Sequence, residues 1–284
     1  MSAGARVASF GALLVAIFAL AVLGGRALDP ATEAAEPTPH ATPAGEGEAH
    51  HGAAAAGAKA ATGHGLRLVA QSATTLTPGR GGRLSFRIAD ERGQTVRAFD
   101  TEQARRMHLI VVRRDLRRFQ HLHPEEDATG AWSVALTLPD AGVYHAFADF
   151  TTDGTRHTLG VDLFAGGRFE PLALPAQEQI ARVDGYAVTL RERNGGPLTF
   201  TVSRGGRRVE DLQPYLGARG HLVSLRAGDL AYGHVHPLAT SVQPGVIAFE
   251  EEPRPQAGRY RLFLQFRHGG RVHTAAFTRE LPAP

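Results

Sequence analysis

The sequence predicts an all-β chain in which two tandem immunoglobulin-like β-sandwiches follow an N-terminal apolar helix and a disordered linker. From residue 65 onward, short alternating apolar runs are separated by Gly, Pro and Asp turns, and no stretch sustains a helical period. About seven such runs fall within about 100 residues, which is typical of an immunoglobulin-like sandwich. The same scheme then occurs a second time. A cupredoxin-like barrel is the alternative, because it uses similar strands and suits metal binding better.

The first predicted sandwich spans residues 65–168, a joint spans 169–182, and the second sandwich spans 183–284. Strands are predicted in the first at 66–70, 83–89, 108–113, 118–123, 131–138, 143–151 and 155–164, and in the second at 186–191, 198–203, 221–225, 230–236, 246–250, 259–266 and 271–280. Each half carries a full set of strands and the joint contains few apolar residues. We therefore expect the two sandwiches to be separable.

Two segments, 139–144 and 256–260, resemble the tyrosine corner of immunoglobulin-like folds, in which a tyrosine hydroxyl bonds back to the chain a few residues upstream. They end in Tyr144 and Tyr260. Side chains alternate between faces along a strand, so Phe150 should face inward together with Tyr144. The pattern thus predicts which face of each late strand forms the core.

Six histidines form a pattern that occurs twice with a constant offset, since 221 − 108, 234 − 121 and 236 − 123 all equal 113. The first copy contains His108, His121 and His123, and the second contains His221, His234 and His236. A constant offset indicates an internal repeat. In each copy, an apolar run, a short polar segment and a second run that ends at proline form the pattern of a β-hairpin.

A turn midway along the first hairpin pairs Arg113 with Arg118. His108 is then opposite His123, and His121 is opposite an apolar residue of the first strand. All three histidines share one face in this register, and a one-residue slip would separate them.

The same register in the second copy sets His221 opposite His236 and places His234 on their face. Three converging imidazoles are a metal-site geometry, because neutral ring nitrogens suit copper, zinc and nickel. Each copy is therefore a candidate metal site. The alternative is structural, with the histidines capping carbonyl groups or packing as half-buried rings.

Two further histidines, His157 and His273, follow the last tight turn of each half. A two-residue hairpin sets His157 opposite Phe150 and His273 opposite Phe266, on the inward faces. They are candidates for a fourth ligand or for a group that supports one. Core histidines with satisfied hydrogen bonds are the alternative.

The composition excludes several classes of function. The chain has no cysteine, which excludes disulfides, thiolate metal sites and a cysteine nucleophile. The formal net charge is only +3 and the arginines are scattered, so no nucleic-acid surface is indicated. No nucleophile elbow, phosphate loop or dinucleotide fingerprint is present, so we do not expect an enzyme.

The first 28 residues contain an uncharged apolar run, 7–25, which is long enough to span a bilayer as a helix. Arg6 precedes the run and acidic residues begin at Asp29, which favours a cytoplasmic N-terminus. This run has two interpretations, an uncleaved transmembrane anchor and a cleaved signal peptide. Either one exports the rest of the chain to the cell surface or beyond.

Residues 29–64 contain no Ile, Leu, Val or aromatic residue and are rich in Ala, Pro, Glu, Gly and Thr. Such a segment cannot bury a core, so it is predicted to be a disordered linker. Its histidines, which include His50 and His51, could gather metal loosely, and a solvated linker with incidental histidines is the simpler interpretation.

The repeated histidine elements resemble those of a group of bacterial exported proteins: Met-His-Leu at 107–109, His-Leu-His-Pro at 121–124, Gly-His-Leu at 220–222 and His-Val-His-Pro at 234–237. More distantly, the chain is similar to YtkA-like and heavy-metal-binding domains found beside copper-handling genes. The resemblance covers about residues 65–280 and implies extracytoplasmic metal handling, with copper as the metal. Met107, a possible soft ligand for Cu(I), is replaced by Gly220 in the second copy.

Two functions are consistent with these patterns. The first is a membrane-tethered, extracytoplasmic metal-binding protein that sequesters or transfers copper, with zinc as the alternative metal. The second is a non-enzymatic surface interaction module whose histidines are structural. The predicted partners are a metal ion and, through the N-terminal segment, the membrane.

Overall fold

The computed structural model describes residues 62–63, 65–192, 196–233, 235–238, 243–252 and 255–283. All of them lie within one compact unit that spans residues 55–284. The predicted N-terminal helix and the linker histidines lie outside the described residues. Thr62 and Gly63 form a strand, so the predicted linker ends earlier than residue 64. In the part of the chain that the structure describes, no helix has the length and hydropathy needed to cross a bilayer.

The described residues form β-strands and no helix, which confirms the all-β prediction. The first half contains β1 (Thr62–Gly63), β2 (Leu66–Ala70), β3 (Thr75–Leu76), β4 (Gly81–Ala89), β5 (His108–Arg113), β6 (Gln120–Leu122), β7 (Glu125–Glu126), β8 (Trp132–Thr137), β9 (Gly142–Thr152) and β10 (Thr155–Ala165). The second half contains β11 (Ile180–Val183), β12 (Tyr186–Glu192), β13 (Leu198–Arg204), β14 (Arg207–Arg208), β15 (His221–Arg226), β16 (Tyr232–Gly233), β17 (Val235–Pro237), β18 (Val246–Glu251), β19 (Gly258–His268) and β20 (Arg271–Leu281).

The strands form four sheets, two in each half. Sheet A has the order β1-β2-β4-β8-β7, sheet B β3-β10-β9-β5-β6, sheet C β11-β12-β13-β18-β17 with β14 beside β13, and sheet D β16-β15-β19-β20. Sheets A and B enclose one apolar core, and sheets C and D enclose another. The chain thus forms two immunoglobulin-like sandwiches, as predicted.

Both predicted tyrosine corners are present. The Tyr144 hydroxyl donates to the Asp140 carbonyl oxygen at 3.0 Å, and the Tyr260 hydroxyl donates to the Gln256 carbonyl oxygen at 2.8 Å. Tyr144 and Phe150 both lie in the first core, which confirms the predicted inward face.

The predicted strand at 230–236 is wrong because the chain changes sheet within it. The sequence indicates a continuous strand at 230–236, whereas the structure has β16 paired with β15 in sheet D and β17 paired with β18 in sheet C. The chain therefore changes sheet between Gly233 and Val235. Strands β1, β3, β7, β11 and β14 were not predicted, because two to four residues are too few to show an alternating pattern.

A third apolar cluster joins the outer faces of sheets B and D. Its buried members are Ile110, Val112, Leu116 and Phe147 from the first sandwich and Val223, Leu225, Leu230 and Phe263 from the second. The rings of Phe119 and Phe263 stack at a centroid distance of 4.2 Å across this junction. Each sandwich has its own core and this third cluster lies between them, so the separability of the two sandwiches stays a prediction.

The junction explains why all six residues of β5 are buried. Leu109 and Val111 face the first core, whereas Ile110 and Val112 face sheet D. His108 shares the face of Ile110 by alternation. The predicted histidine face thus lies in the junction between the sandwiches.

Candidate metal centre

The first predicted hairpin forms in the predicted register. Ile110 pairs with His121 and Leu109 pairs with Leu122 across β5 and β6. His108 Nδ1 lies 3.0 Å from His121 Nε2. The prediction that these two imidazoles meet on one face is therefore confirmed.

His123, just beyond the end of β6, joins the same group. Its ring centroid lies 5.3 Å from that of His108 and 4.7 Å from that of His121. The three first-copy histidines thus converge as the sequence predicts.

A fourth histidine of the group belongs to the second sandwich. His221, at the start of β15 in sheet D, is 5% exposed, and its ring centroid lies 4.4 Å from that of His121. Its ring is nearly parallel to that of His108, at 5.7 Å and 10°. One ring nitrogen from each of His108, His121 and His221 falls within a span of 4.8 Å. The group therefore bridges the junction.

The hydrogen bonds of the group fix the proton of one ring. His108 Nε2 donates to the carbonyl oxygen of Glu102 at 3.1 Å, an atom that can only accept. A neutral imidazole has one N–H, so His108 Nδ1 presents a lone pair. His121 Nδ1 lies 2.6 Å from the side-chain amide of Gln265, which accepts from this ring through its oxygen or donates to it through its nitrogen.

The lone pair of His108 Nδ1 faces His121 Nε2 at 3.0 Å. Two further ring nitrogens, His123 Nε2 and His221 Nδ1, are buried and have no hydrogen-bond partner among the described residues. Buried polar groups are nearly always paired, so these nitrogens require an explanation. A cation held by His108, His121 and His221, whose ring nitrogens lie within 4.8 Å of one another, would use their lone pairs as ligands.

Protonation of the group is strongly disfavoured. Burial, together with the neighbouring imidazoles, lowers the pKa of His121 to about 3 and that of His123 to about 4. Burial also lowers the pKa of His108 and holds that of His221 well below its usual value. The rings are therefore neutral at physiological pH, which is the form that binds metal.

The donor set fits a metal that prefers imidazole. Imidazole nitrogens are ligands that suit copper, zinc and nickel. Met107 is buried in the first core and does not lie in the histidine group. The suggestion that it serves as a soft ligand is therefore wrong.

The second copy does not repeat the first as predicted. In the predicted register His221 pairs with His236, but the chain changes sheet before that position, and His236 pairs with Glu250 in sheet C. His236 is exposed, whereas His221 lies with the first-copy histidines. His234 lies outside the described residues. We expected one metal site in each copy, and this expectation is wrong because His221 lies with the histidines of the first copy.

The two inward histidines are placed as predicted but lie away from the centre. His157 pairs with Phe150 and His273 with Phe266, on the core faces of sheets B and D. His108 and His221 occupy the opposite faces of those sheets. His273 Nδ1 is bonded to Asp184 at 2.8 Å. The suggestion that His157 or His273 supplies a fourth ligand is therefore wrong, because a sheet separates them from the group.

A cleft of about 290 Å³ leads from solvent to His108. Asp149 and Arg156 line one wall, where Arg156 Nη2 bonds to Asp149 Oδ2 at 2.6 Å, and His236 lines another part. The cleft gives a small ion access to the edge of an otherwise buried group.

Sequence reasoning missed the composite nature of this centre. Gln265 and His221 are cross-strand partners in sheet D, and both face sheet B. Gln265 alternates along β19 with the core residues Leu264 and Phe266, so the sequence pattern alone indicates an outward side chain. Its burial at 6% exposure is a property of the junction and could not be seen in one sandwich alone.

Comparison with known sequences places the chain in a family. Residues 61–166 and 181–283 each match the family described as Domain of unknown function (DUF8832). The chain belongs to the DUF8832 family. Each DUF8832 match covers one of the two sandwiches, so the repeat seen in the histidines extends over the whole domain. No curated protein matches the sequence significantly.

Several solved structures share features of this DUF8832 chain at low identity. The alpha-2-macroglobulin of E. coli is 13% identical over 79% of this chain, with a TM-score of 0.28, and a Salmonella alpha-2-macroglobulin mutant is 15% identical over 78%, also with 0.28. Invasin, a bacterial integrin-binding protein, is 13% identical over 77% of this chain and 39% of its own, with a TM-score of 0.20. The chain spans only 14% and 15% of the two macroglobulin chains.

Proposed function

We propose that this protein binds a divalent metal at the junction of its two sandwiches, through His108, His121 and His221, with His123 as a fourth donor. The observation that carries the proposal is the convergence of ring nitrogens from His108, His121 and His221, which lie within 4.8 Å of one another at the buried junction.

Copper is the metal that the site favours. The group is built from imidazoles, and affinity for such ligands rises toward Cu(II) along the divalent series. The chain contains no cysteine, so a thiolate cannot shift this preference. The backbone carbonyl of Glu102 and the amide of Gln265 orient the ligating rings, which is the usual role of groups behind a metal ligand.

The proposal is tested by metal analysis of tag-free protein. We expect about one equivalent of copper per chain after incubation and desalting, with Cu(II) retained more tightly than Zn(II) in competition. The measurement is elemental analysis combined with titration by isothermal calorimetry. Protein that stays metal-free in excess copper would instead support the interaction module with structural histidines.

We also propose that the metal site is extracytoplasmic and tethered to the membrane. The support is the apolar run at 7–25, followed by a long polar segment, both of which lie outside the described residues. In this arrangement the protein sequesters or transfers copper outside the membrane. Protease added to intact cells or protoplasts should digest residues beyond about 30, and protection of both sandwiches would contradict the topology.

A further inference from the structure

A buried arginine at the other end of the junction has no counter-charge. Three arginines among the described residues are less than a tenth exposed: Arg113 at 4%, Arg279 at 5% and Arg261 at 8%. Arg113 pairs with Asp115 at 2.7 Å, and Arg279 pairs with Glu251 at 2.6 Å and with Glu192. Within the described part of the chain, Arg261 makes no ion pair.

The contacts of Arg261 leave its charge uncompensated. Its Nη1 donates to Thr278 Oγ1 at 3.0 Å, and its guanidinium carbon lies 5.9 Å from the centre of the Phe263 ring. Its Nε is buried and has no hydrogen-bond partner among the described residues. Burial, with the charge of Arg117 nearby, lowers the pKa of Arg261 to about 10, so the group remains cationic at neutral pH.

A second arginine makes the environment more positive. Arg117 belongs to the first sandwich and donates from Nη2 to the Ala173 carbonyl oxygen at 2.9 Å. Its Nε is also buried without a partner among the residues described. Two unpaired guanidinium donors from two sandwiches thus lie within electrostatic reach of each other. A buried charge without a partner is strongly unfavourable, which indicates that an anion compensates it.

A cavity beside Arg261 has room for such an anion. Its volume is about 410 Å³. The hydroxyl-bearing side chains Thr274 and Thr278 line it, together with a second cation, Arg182. The one carboxylate in the lining belongs to Glu178, which is exposed and makes no ion pair within the described residues.

We propose that this cavity binds a small oxyanion, of the phosphate or carboxylate type, through the guanidinium of Arg261 and the neighbouring hydroxyl groups. A planar guanidinium matches the geometry of such oxygens. The centre of this site differs from that of the histidine group, because Arg261 lies four residues from Gln265, or about 13 Å along β19. Thr274, at the edge of the cavity, also contacts Gln265 at 3.4 Å. The anion site does not depend on whether the histidines bind metal.

The test compares the full-length protein with Arg261→Met in buffers of matched ionic strength. Inorganic phosphate and acetate are the two probes, and chloride is the reference. We expect one of the probes to raise the thermal midpoint of the wild type, and Arg261→Met to weaken the binding of that probe, measured by calorimetry, by about tenfold or more. Arg267→Met is the matched control, since Arg267 is exposed on the same strand and should retain the full response.

Two results would overturn the proposal. One is a wild type whose midpoint in phosphate and in acetate equals that in chloride. The other is a Glu178→Gln variant that loses as much stability as the wild type loses when added salt screens its charges. Glu178 would then be the counter-ion of Arg261. If Arg261→Met fails to fold, Arg261→Lys keeps the charge without the planar fork, and the proposal requires this variant to bind the responding probe more weakly than the wild type does.

Discussion

Replacing His121 with alanine is expected to remove high-affinity copper binding from the whole protein. His121 lies at the centre of the group, 3.0 Å from His108 between ring nitrogens and 4.4 Å from His221 between ring centroids. Loss of a group that merely orients a ligand weakens metal affinity by 10–100-fold, so loss of this ligand should weaken it by about a hundredfold or more. Competition titration with a chelator of known affinity measures the change.

The same experiment distinguishes one composite site from two separate sites. His221→Ala should abolish the same single equivalent that His121→Ala abolishes, because both residues contribute to one group. The matched control is His236→Ala: this residue belongs to the repeat but is exposed and paired with β18. If His221→Ala left one full equivalent bound and His236→Ala removed one, each sandwich would hold its own metal and the composite centre would be disproved.

Acid is expected to destabilise the metal-free protein steeply between about pH 6.5 and pH 4. The folded-state pKa values of His121 and His123 are about 3 and about 4, whereas both titrate near 6.5 in the unfolded chain. Below pH 6.5 the unfolded state therefore binds more protons, and the free energy of unfolding falls as the pH falls. The loss is about 1.4 kcal/mol per pH unit for each histidine that stays neutral, and it levels off below the folded pKa values.

Urea midpoints measured from pH 8 to pH 4 in the presence of EDTA test this expectation. His121→Gln should flatten the dependence, because one histidine no longer has to remain neutral. Bound copper should extend the stable plateau to lower pH, since protons compete with the metal for the same nitrogens. A wild type with the same midpoint at pH 5 as at pH 7.5 would show that the histidines are not held neutral by burial.

Local features of the fold were predictable because their causes are local. The register of the β5–β6 hairpin follows from the length of the polar turn between two apolar runs, and the pairing of Ile110 with His121 agrees with it. The tyrosine corners follow from a tyrosine placed shortly after a turn, and both form as expected. Each of these features is determined by residues within about fifteen positions of one another.

Features that depend on the docking of the two sandwiches were not predictable. Both faces of β5 are apolar, so alternation could not tell the core face from the junction face. His221 meets His121 only because sheet D packs on sheet B, a contact between residues 100 positions apart. The change of sheet before His236 likewise depends on pairing with β18, which no local pattern specifies.

A ligand held by His121 and His221 at once would bind only the docked arrangement of the two sandwiches. By mass action, its binding would then stabilise the docked arrangement relative to the undocked one. The stabilisation is about 2.7 kcal/mol when the free metal concentration is a hundred times the dissociation constant. Below the dissociation constant this contribution vanishes, and the junction is held by contacts such as the apolar cluster around Phe263 and the hydrogen bond between His121 and Gln265. The stability of the docked arrangement would thus vary with the concentration of free metal.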